Sequence, residues 1–124
     1  MNPFAKPNKY KAKPTEYGGL KFASKAEAAY AERLDLLQRA GKVAWWLPQV
    51  KFRLGCPENT YTVDFLVAEP DGVCDGLLVH AVDVKGMETA KFRKDKRLWA
   101  AYGPMPLVIV KGKKIETINP GDEA

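Results

Sequence analysis

The stretch of sequence that decides the fold is LLVHAVDVKG, at residues 77–86. Leu77 to Val84 is almost continuously apolar, which is typical of a central strand covered on both faces. Asp83 and Lys85 stand at the end of this strand, two positions apart, so they project from the same face about 6.6 Å apart along the chain. Gly86 then lets the chain turn away. The stretch therefore predicts a carboxylate and an ammonium group side by side at the end of a buried strand.

Patterns on either side of this strand predict the remaining elements. Period-two alternation and short apolar runs indicate strands, whereas capping residues and helical spacing indicate helices. Strong turn chemistry at Glu69–Gly72 makes the second and third strands antiparallel neighbours. We expect an α/β fold with a mixed central sheet flanked by helices. The predicted elements are a helix at 24–40, strands at 49–54, 61–67 and 77–84, a helix at 89–102, and strands at 107–110 and 115–118.

The first helix contributes a further candidate side chain, Glu27. Ser24 to Glu27 has the form of a capping box, in which the serine oxygen and the glutamate satisfy unpaired backbone amides. At about 100° per residue, Glu27 lies at the edge of the apolar stripe, beside Leu34. Glu27 is therefore open to two compatible interpretations, as a capping residue and as a site carboxylate. The predicted stripe consists of Ala26, Tyr30, Arg33, Leu34 and Leu37.

The charge of the chain is unevenly distributed, although its composition is that of an ordinary globular domain. The chain has 124 residues, 46% hydrophobic and 28% charged, with a formal net charge of +5. Residues 54–84 contain six acids and no lysine or arginine, whereas the other residues carry 20 basic and nine acidic side chains. This distribution favours a polyanionic partner together with a cation site. An acidic loop region without a role is the alternative.

The same composition excludes several classes of protein. No apolar run approaches the roughly 18 residues that span a bilayer, and no apolar signal-peptide core is present, so we expect a cytoplasmic protein. Cys56 and Cys74 make at most one disulfide bridge, and together with His80 they lack the spacing of zinc ligands. His80 is expected to be a half-buried structural residue. No glycine-rich phosphate loop and no Ser-His-Asp arrangement is found.

Three carboxylates and one lysine converge in the predicted fold. Asp64 lies in the strand before the central one and projects from the face opposite its apolar neighbours. Glu27, Asp64 and Asp83 would then surround Lys85 at one end of the sheet. Burying acids beside apolar strands is costly without a partner, and a few oxygen ligands completed by water and phosphate suit Mg²⁺. We therefore expect a Mg²⁺ site; an ion pair at a strand end and a turn cap at Asp64 are the alternatives.

Four short motifs resemble those of the PD-(D/E)xK nuclease superfamily: GLKFASKAE at 19–27, QVKF at 49–52, YTVDF at 61–65 and VDVKG at 82–86. A helix glutamate, a strand aspartate and an Asp-x-Lys triplet are similar to its restriction-endonuclease-like αβββαβ core. More narrowly, the motifs resemble those of small phage-encoded endonucleases that resolve Holliday junctions. The resemblance covers roughly Tyr17 to Val110, and Val63 stands where the family motif has proline.

The resemblance implies a role for each matching residue. Asp64 and Asp83 would be metal ligands, and the carbonyl of Val84 a further one. Glu27 would bind the metal directly or through water, and Lys85 would activate the attacking water and stabilise charge on the phosphate. The implied cofactor is Mg²⁺, with Mn²⁺ able to substitute, at one or two positions. The implied activity is that of a homodimeric endodeoxyribonuclease on duplex or branched DNA, in the host cytoplasm if phage-encoded.

The second helix carries a basic run directly after the candidate site. Phosphate binding is one interpretation of this run, and a solvated helix face is the other. Of Trp45 and Trp46, one is open to stacking on a base or sealing a partner subunit. Gln49 either hydrogen-bonds at the site or is an exposed strand residue. The basic residues of the helix are Lys91, Arg93, Lys94, Lys96 and Arg97.

Three parts of the chain are expected: a basic N-terminal arm at 1–19, a nuclease-like domain at 20–118 and a tail at 119–124. The arm interleaves lysines with prolines and tyrosines without periodicity, so it is either a DNA-contacting segment or a frayed terminus. Two rival functions remain open. One is a non-catalytic basic nucleic-acid-binding module, and the other is a structural or assembly protein with an incidental basic surface.

Overall fold

A computed structural model describes residues 14–121; the arm residues 1–13, with their lysines, and tail residues 122–124 lie outside this range. The described part contains seven strands and two helices. They are β1 (Thr15–Tyr17), β2 (Leu20–Phe22), α1 (Lys25–Arg39), β3 (Trp45–Arg53), β4 (Thr60–Pro70), β5 (Leu77–Val84), α2 (Ala90–Tyr102), β6 (Leu107–Lys111) and β7 (Lys114–Ile118).

Five strands form one mixed sheet in the order β3-β4-β5-β6-β7, and β1 and β2 form a separate pair. All neighbours in the large sheet are antiparallel except β5 and β6, which are parallel. The predicted α/β class with a mixed central sheet is confirmed, as are the central position of β5 and its antiparallel pairing with β4. Within residues 14–121, no helix is long and apolar enough to cross a membrane.

Two hydrophobic clusters form, one with α1 residues and one with α2 residues. Val63 and Phe65 are two positions apart on β4 and would share one face of a flat strand, yet Val63 packs in the α2 cluster and Phe65 in the α1 cluster. The residue between them, Asp64, lies opposite Gln49 in the β3–β4 register. Gln49 has a φ of 55°, in the left-handed region that few non-glycine residues adopt. The apolar side chains of β4 therefore pack in the α2 cluster before Asp64 and in the α1 cluster at Phe65 and Val67 after it.

Capping residues place both helices as predicted. Ser24 and Thr89 are the N-caps, and each hydroxyl accepts a hydrogen bond of 3.1 Å from the backbone three residues later. The predicted apolar stripe of α1 is partly wrong, because Ala26 is exposed and the small Ala28 and Ala31 pack in the cluster instead. The helix is rotated so that Glu27 also faces inward, with 9% of its surface exposed.

The strands are longer than the alternation predicts. β3 begins at Trp45 rather than at residue 49, because its pairing with β4 continues to Ala68. β4 continues to Pro70, so the predicted turn at 69–72 moves to residues 71–76. β5 has the predicted bounds, but Leu77 and Leu78 at its start are exposed. Only the last residues of β5 are therefore covered on both faces of the sheet.

The end of the predicted arm forms regular structure. Thr15–Tyr17 pairs with Leu20–Phe22, whereas the sequence predicts no regular element there. The Tyr17 hydroxyl donates a 2.7 Å hydrogen bond to Asp35, which also accepts one of 3.0 Å from the indole N–H of Trp46. Three residues per strand are too few for a periodic signal. The contacts that hold this hairpin come from distant positions.

Candidate active site

Asp64 and Asp83 meet where β4 and β5 separate. The backbone register of these strands ends at the pair Phe65 and Val82. Beyond it, Oδ1 of Asp83 accepts a 2.9 Å hydrogen bond from the backbone N–H of Asp64, and Oδ2 of Asp64 accepts one of 2.8 Å from that of Val84. The two side chains thus replace the backbone ladder at this point. Each carboxylate is held by the strand that carries the other.

Asp83 is fully buried and incompletely satisfied. Its exposed fraction is 0%, and its Oδ2 atom has no hydrogen-bond partner among the described residues. The ammonium group of Lys85 lies 3.5 Å from this oxygen and 4.5 Å from the centre of the Phe92 ring. A buried carboxylate oxygen without a hydrogen bond is destabilising. Its retention beside an oriented lysine marks a candidate functional site.

Glu27, in the first turn of α1, is the third carboxylate of the candidate site. Its backbone N–H donates to the Ser24 hydroxyl, and its Oε2 accepts a long hydrogen bond of 3.4 Å from the backbone N–H of Ala23. One half of the predicted capping box is therefore present, whereas the glutamate side chain accepts from Ala23 and not from the N-cap Ser24. Glu27 also interacts electrostatically with Asp64, Lys85 and Asp83. The capping role and a place at the site coexist, as predicted.

The carboxyl groups of this site have raised pKa values. Burial, followed by the charge of Asp64, raises the pKa of Glu27 to about 7. Burial raises the pKa of Asp83 to about 6, although Lys85 opposes the rise. Burial also raises the pKa of Asp64, against the hydrogen bond from Val84.

We name Glu27, Asp64, Asp83 and Lys85 the Asp83 cluster. One ammonium group does not balance its three carboxylates.

The donor atoms suit a hard cation, but they do not form a complete ligand set. Oxygen Oδ1 of Asp64 and Oδ2 of Asp83 accept no hydrogen bond from the described residues, and Oδ2 is buried. Two such oxygens fit Mg²⁺, which retains water and phosphate at its other positions. Among residues 14–121, however, no three His, Cys, Asp or Glu side chains are arranged to hold a metal ion. The described residues therefore do not form the three-carboxylate ligand set that the sequence predicts, and a metal at Asp64 and Asp83 stays a prediction.

The basic run on α2 divides into residues that form ion pairs, of which Lys91 is exposed and Lys96 is not, and residues that form none within the described range. Lys91 bonds to Asp95 at 2.9 Å. Lys96 is largely buried and forms ion pairs with Glu88 and Glu116, so it is held away from solvent. We name Glu88, Lys96, Lys111 and Glu116 the Lys96 cluster. Arg93, Lys94 and Arg97 are exposed and form no ion pair within the described range.

The remaining candidates are mostly structural. Trp46 packs edge-on against Phe65 at 5.7 Å, which makes it a core residue. Trp45 is half-buried, and Gln49 is exposed. His80 is half-buried beside Glu69, at 3.4 Å, and burial lowers its pKa.

Sequence reasoning missed the contributions of Phe92 and Asp95. Phe92 was expected in the core, where it lies, but its ring also contacts the ammonium groups of Lys85 and, at 5.6 Å, Lys96. Asp95 is buried, with 7% of its surface exposed, and its charge contributes to raising the pKa of Asp83. The signal that could have found Asp95 is its position four residues after Lys91, which is ion-pair spacing on a helix.

Comparison with known proteins gives one result. No curated protein and no solved structure matches this chain. A family model described as "Protein of unknown function (DUF1064)" matches residues 7–117, which include all four residues of the Asp83 cluster and all of α2. The chain therefore belongs to the DUF1064 family.

Proposed function

We propose that this protein is a Mg²⁺-dependent endodeoxyribonuclease that hydrolyses phosphodiester bonds, with branched or junction DNA as its favoured substrate. The observation that carries the proposal is the fully buried Asp83, whose Oδ2 forms an ion pair with Lys85 at 3.5 Å while its Oδ1 is bonded to the backbone of Asp64. Burial of this carboxylate is costly, and its single lysine is shared with two further carboxylates, Asp64 and Glu27. We propose that Oδ2 of Asp83 is a ligand of a cation that also binds a phosphate.

The order of the elements supports a restriction-endonuclease-like core. From α1 to β6 the chain follows αβββαβ, and Asp64 and Asp83 lie at adjacent strand ends. Glu27 lies at the start of α1 and interacts with both aspartates. This agrees with the resemblance of the sequence motifs to the PD-(D/E)xK superfamily. The αβββαβ core and the superfamily assignment are part of the proposal.

The chain's own residues have distinct roles in the proposed reaction. Asp64 and Asp83 would hold the cation, with the carbonyl of Val84 nearby, and Glu27 would act through a water molecule. Bound Mg²⁺ lowers the pKa of a coordinated water and neutralises charge on the phosphate. Lys85, held between Asp83 and the Phe92 ring, would orient the attacking water and stabilise the developing negative charge. The proposed products carry 5′-phosphates.

The proposed DNA contacts are the exposed basic residues of α2. Arg93, Lys94 and Arg97 are available to phosphates, whereas Lys96 acts structurally through its ion pairs. Cutting both strands of a junction requires two active sites, and each chain supplies one. A homodimer is therefore part of the proposal.

A cleavage assay with matched variants tests this function. Duplex DNA and four-way junctions are incubated with Mg²⁺ or with EDTA. We expect the wild-type protein to cut only with the metal, and Asp83→Asn to lose cutting while it retains DNA binding. Asp75→Asn removes the same charge from an exposed loop and should cut normally. Unchanged cutting by Asp83→Asn would contradict the site assignment.

A non-catalytic nucleic-acid-binding module is the second candidate. It is favoured by the absence, among residues 14–121, of a complete three-residue metal group. Such a module would bind DNA with a steep salt dependence and would ignore Mg²⁺. Stabilisation of the fold by a divalent metal, abolished in Asp64→Asn, separates the nuclease from this module.

A further inference from the structure

Strands β3 and β4 continue past the end of β5 and form a two-stranded ribbon beside the candidate site. The pairing of β4 with β5 ends at Phe65, so within the described range residues 60–63 pair with β3 alone. We name residues 50–53 and 60–63 the β3–β4 ribbon. Asp64 of the Asp83 cluster follows directly after it along β4. The ribbon therefore extends outward from the candidate site.

One face of the ribbon is buried under α2. Tyr61 and Val63 of β4 belong to the α2 cluster, and Val50 and Phe52 of β3 pack against it. The ring of Tyr61 lies 6.3 Å from that of Phe92, a residue of the helix. These contacts hold the ribbon against the domain and leave only its opposite face available to a partner.

The opposite face of the ribbon is exposed and carries two cations. Lys51, Arg53, Thr60 and Thr62 alternate with the buried residues and are all exposed. Lys51 lies directly opposite Thr62, and Arg53 lies opposite Thr60. None of the four belongs to either hydrophobic cluster. The ribbon itself contains no acid, since Glu58 lies in the loop that connects its strands.

The charges on this face are not neutralised. Lys85, Lys91 and Lys96 each form an ion pair with an acid. Lys51 and Arg53, in contrast, form no ion pair and no side-chain hydrogen bond within residues 14–121. Lysine, arginine and threonine side chains are among the groups that bind phosphate oxygens in protein–DNA complexes. The face is therefore complementary to a polyanion in its charge and in its hydrogen-bond donors.

We propose that the exposed face of the β3–β4 ribbon binds the phosphate backbone of double-stranded DNA beside the cleaved bond. The proposal rests on the proposed nuclease function, because Asp64 relates the ribbon to the cleaved phosphate. Thr62 and Thr60 precede Asp64 by about 7 and 13 Å along an extended strand. Each strand of a duplex presents one phosphate about every 3.4 Å along the helix axis. The ribbon thus contacts phosphates within about four nucleotides of the cut and adds a second DNA-binding surface to that of α2.

DNA binding in EDTA tests the ribbon without any cleavage. The affinity for a labelled duplex is measured by fluorescence anisotropy at several salt concentrations. We expect Lys51→Gln/Arg53→Gln to reduce the slope of log affinity against log salt by about 1.8, because each phosphate contact contributes about 0.9. Arg39→Gln/Lys42→Gln removes the same charge from exposed positions before the start of β3 and should leave the slope unchanged. Both double variants should fold like the wild type, because the replaced side chains are exposed.

Three results would overturn the proposal. The first is no binding of duplex DNA by the wild-type protein. The second is an equal reduction of the slope in both double variants, which would show attraction by net charge alone. The third is binding of a polyglutamate peptide as tightly as DNA, which would make an acidic protein the partner.

The cleavage assay with Mg²⁺ separates this surface from the active site. A reduced slope in Lys51→Gln/Arg53→Gln, without cleavage by the wild-type protein, would support the ribbon as a DNA-binding surface and contradict the nuclease function. Cleavage by the wild-type protein, with an unchanged slope in Lys51→Gln/Arg53→Gln, would contradict the ribbon alone.

Discussion

The protein contains two lysine–carboxylate clusters that differ in their charge balance. The Lys96 cluster has two lysines and two glutamates, and each lysine lies within ion-pair distance of both acids. The Asp83 cluster has three carboxylates and one lysine. Each cluster contains one buried carboxylate oxygen that lies in an ion pair but accepts no hydrogen bond from the described residues, so the ratio of acids to lysines is what differs. The first cluster joins α2 to β6 and β7, whereas the second lies where β4 and β5 separate.

The pKa directions of the two clusters are opposite. Hydrogen bonds from Lys96 and Lys111 lower the pKa of Glu88. Burial alone would lower the pKa of Lys96, but its bonds to Glu88 and Glu116 raise it. In the Asp83 cluster, burial raises the pKa of every carboxyl group. Folding therefore favours the charged form in one cluster and the neutral form in the other. We therefore expect the unbalanced cluster, and not the balanced one, to be stabilised by a cation.

The largest expected effect is the loss of metal stabilisation in Asp83→Asn. At a Mn²⁺ concentration of about 100 Kd, a single site stabilises the fold by about 2.7 kcal/mol. Thermal unfolding with Mn²⁺ or EDTA measures this difference. Asp83→Asn should lose the gain, because one of the two proposed ligand carboxylates is removed. Glu88→Gln should keep it, and an equal gain in both variants would show that the ion binds elsewhere.

A smaller effect, of opposite sign to most substitutions of buried residues, is expected in Glu27→Gln. Glu27 binds its proton more tightly in the folded chain, with a pKa of about 7 against 4.5. The metal-free protein therefore loses stability as the pH rises from about 4.5 to 7. Removing the charge should stabilise it at pH 8 by about 1–2 kcal/mol, after allowance for solvent screening.

Urea unfolding in EDTA at pH 5 and pH 8 measures the Glu27 effect. The gain from Glu27→Gln should be larger at pH 8 than at pH 5, because the wild-type carboxylate is ionised only at the higher pH. Glu32→Gln removes an exposed acid from the same helix and should show no such difference. A loss of stability at pH 8 would mean that Glu27 acts as a helix cap alone.

The sequence predicts the positions of the acids better than their contacts. Ser24 and Thr89 place the helices because capping is local chemistry. The apolar run places Asp83 at its end, and alternation places Asp64 within a strand. The alternation is wrong in putting Val63 and Phe65 on one face with Asp64 opposite, because these two residues pack in different clusters. The hydrogen bonds between these aspartates and the opposite backbones depend on where the strands separate, which is a property of the whole sheet. No local sequence pattern predicts the point at which β4 and β5 separate.

The basic run on α2 illustrates the same limit. The sequence treats its five residues alike, but Lys96 is engaged by Glu88 and Glu116, which come from other parts of the chain. The hairpin of β1 and β2 was missed because Tyr17 is held by Asp35, 18 residues away. In both cases long-range pairing decides the role of a residue. A local sequence pattern predicts the role of a residue when its interaction partner lies within one helical turn.

The smallest effect is expected in Glu88→Gln, and its pH dependence should be the reverse of that of Glu27→Gln. Lys96 and Lys111 lower the pKa of Glu88 from 4.5, so its stabilising contribution is present above about pH 4.5 and is lost as the pH falls. The variant should melt at a lower temperature than wild type at pH 7. The difference should shrink only slightly at about 1 M salt, because partly buried ion pairs are screened less than exposed ones. If Glu88→Gln instead stabilised the protein at pH 7, the two clusters would not differ in kind, and charge balance would cease to distinguish the candidate site.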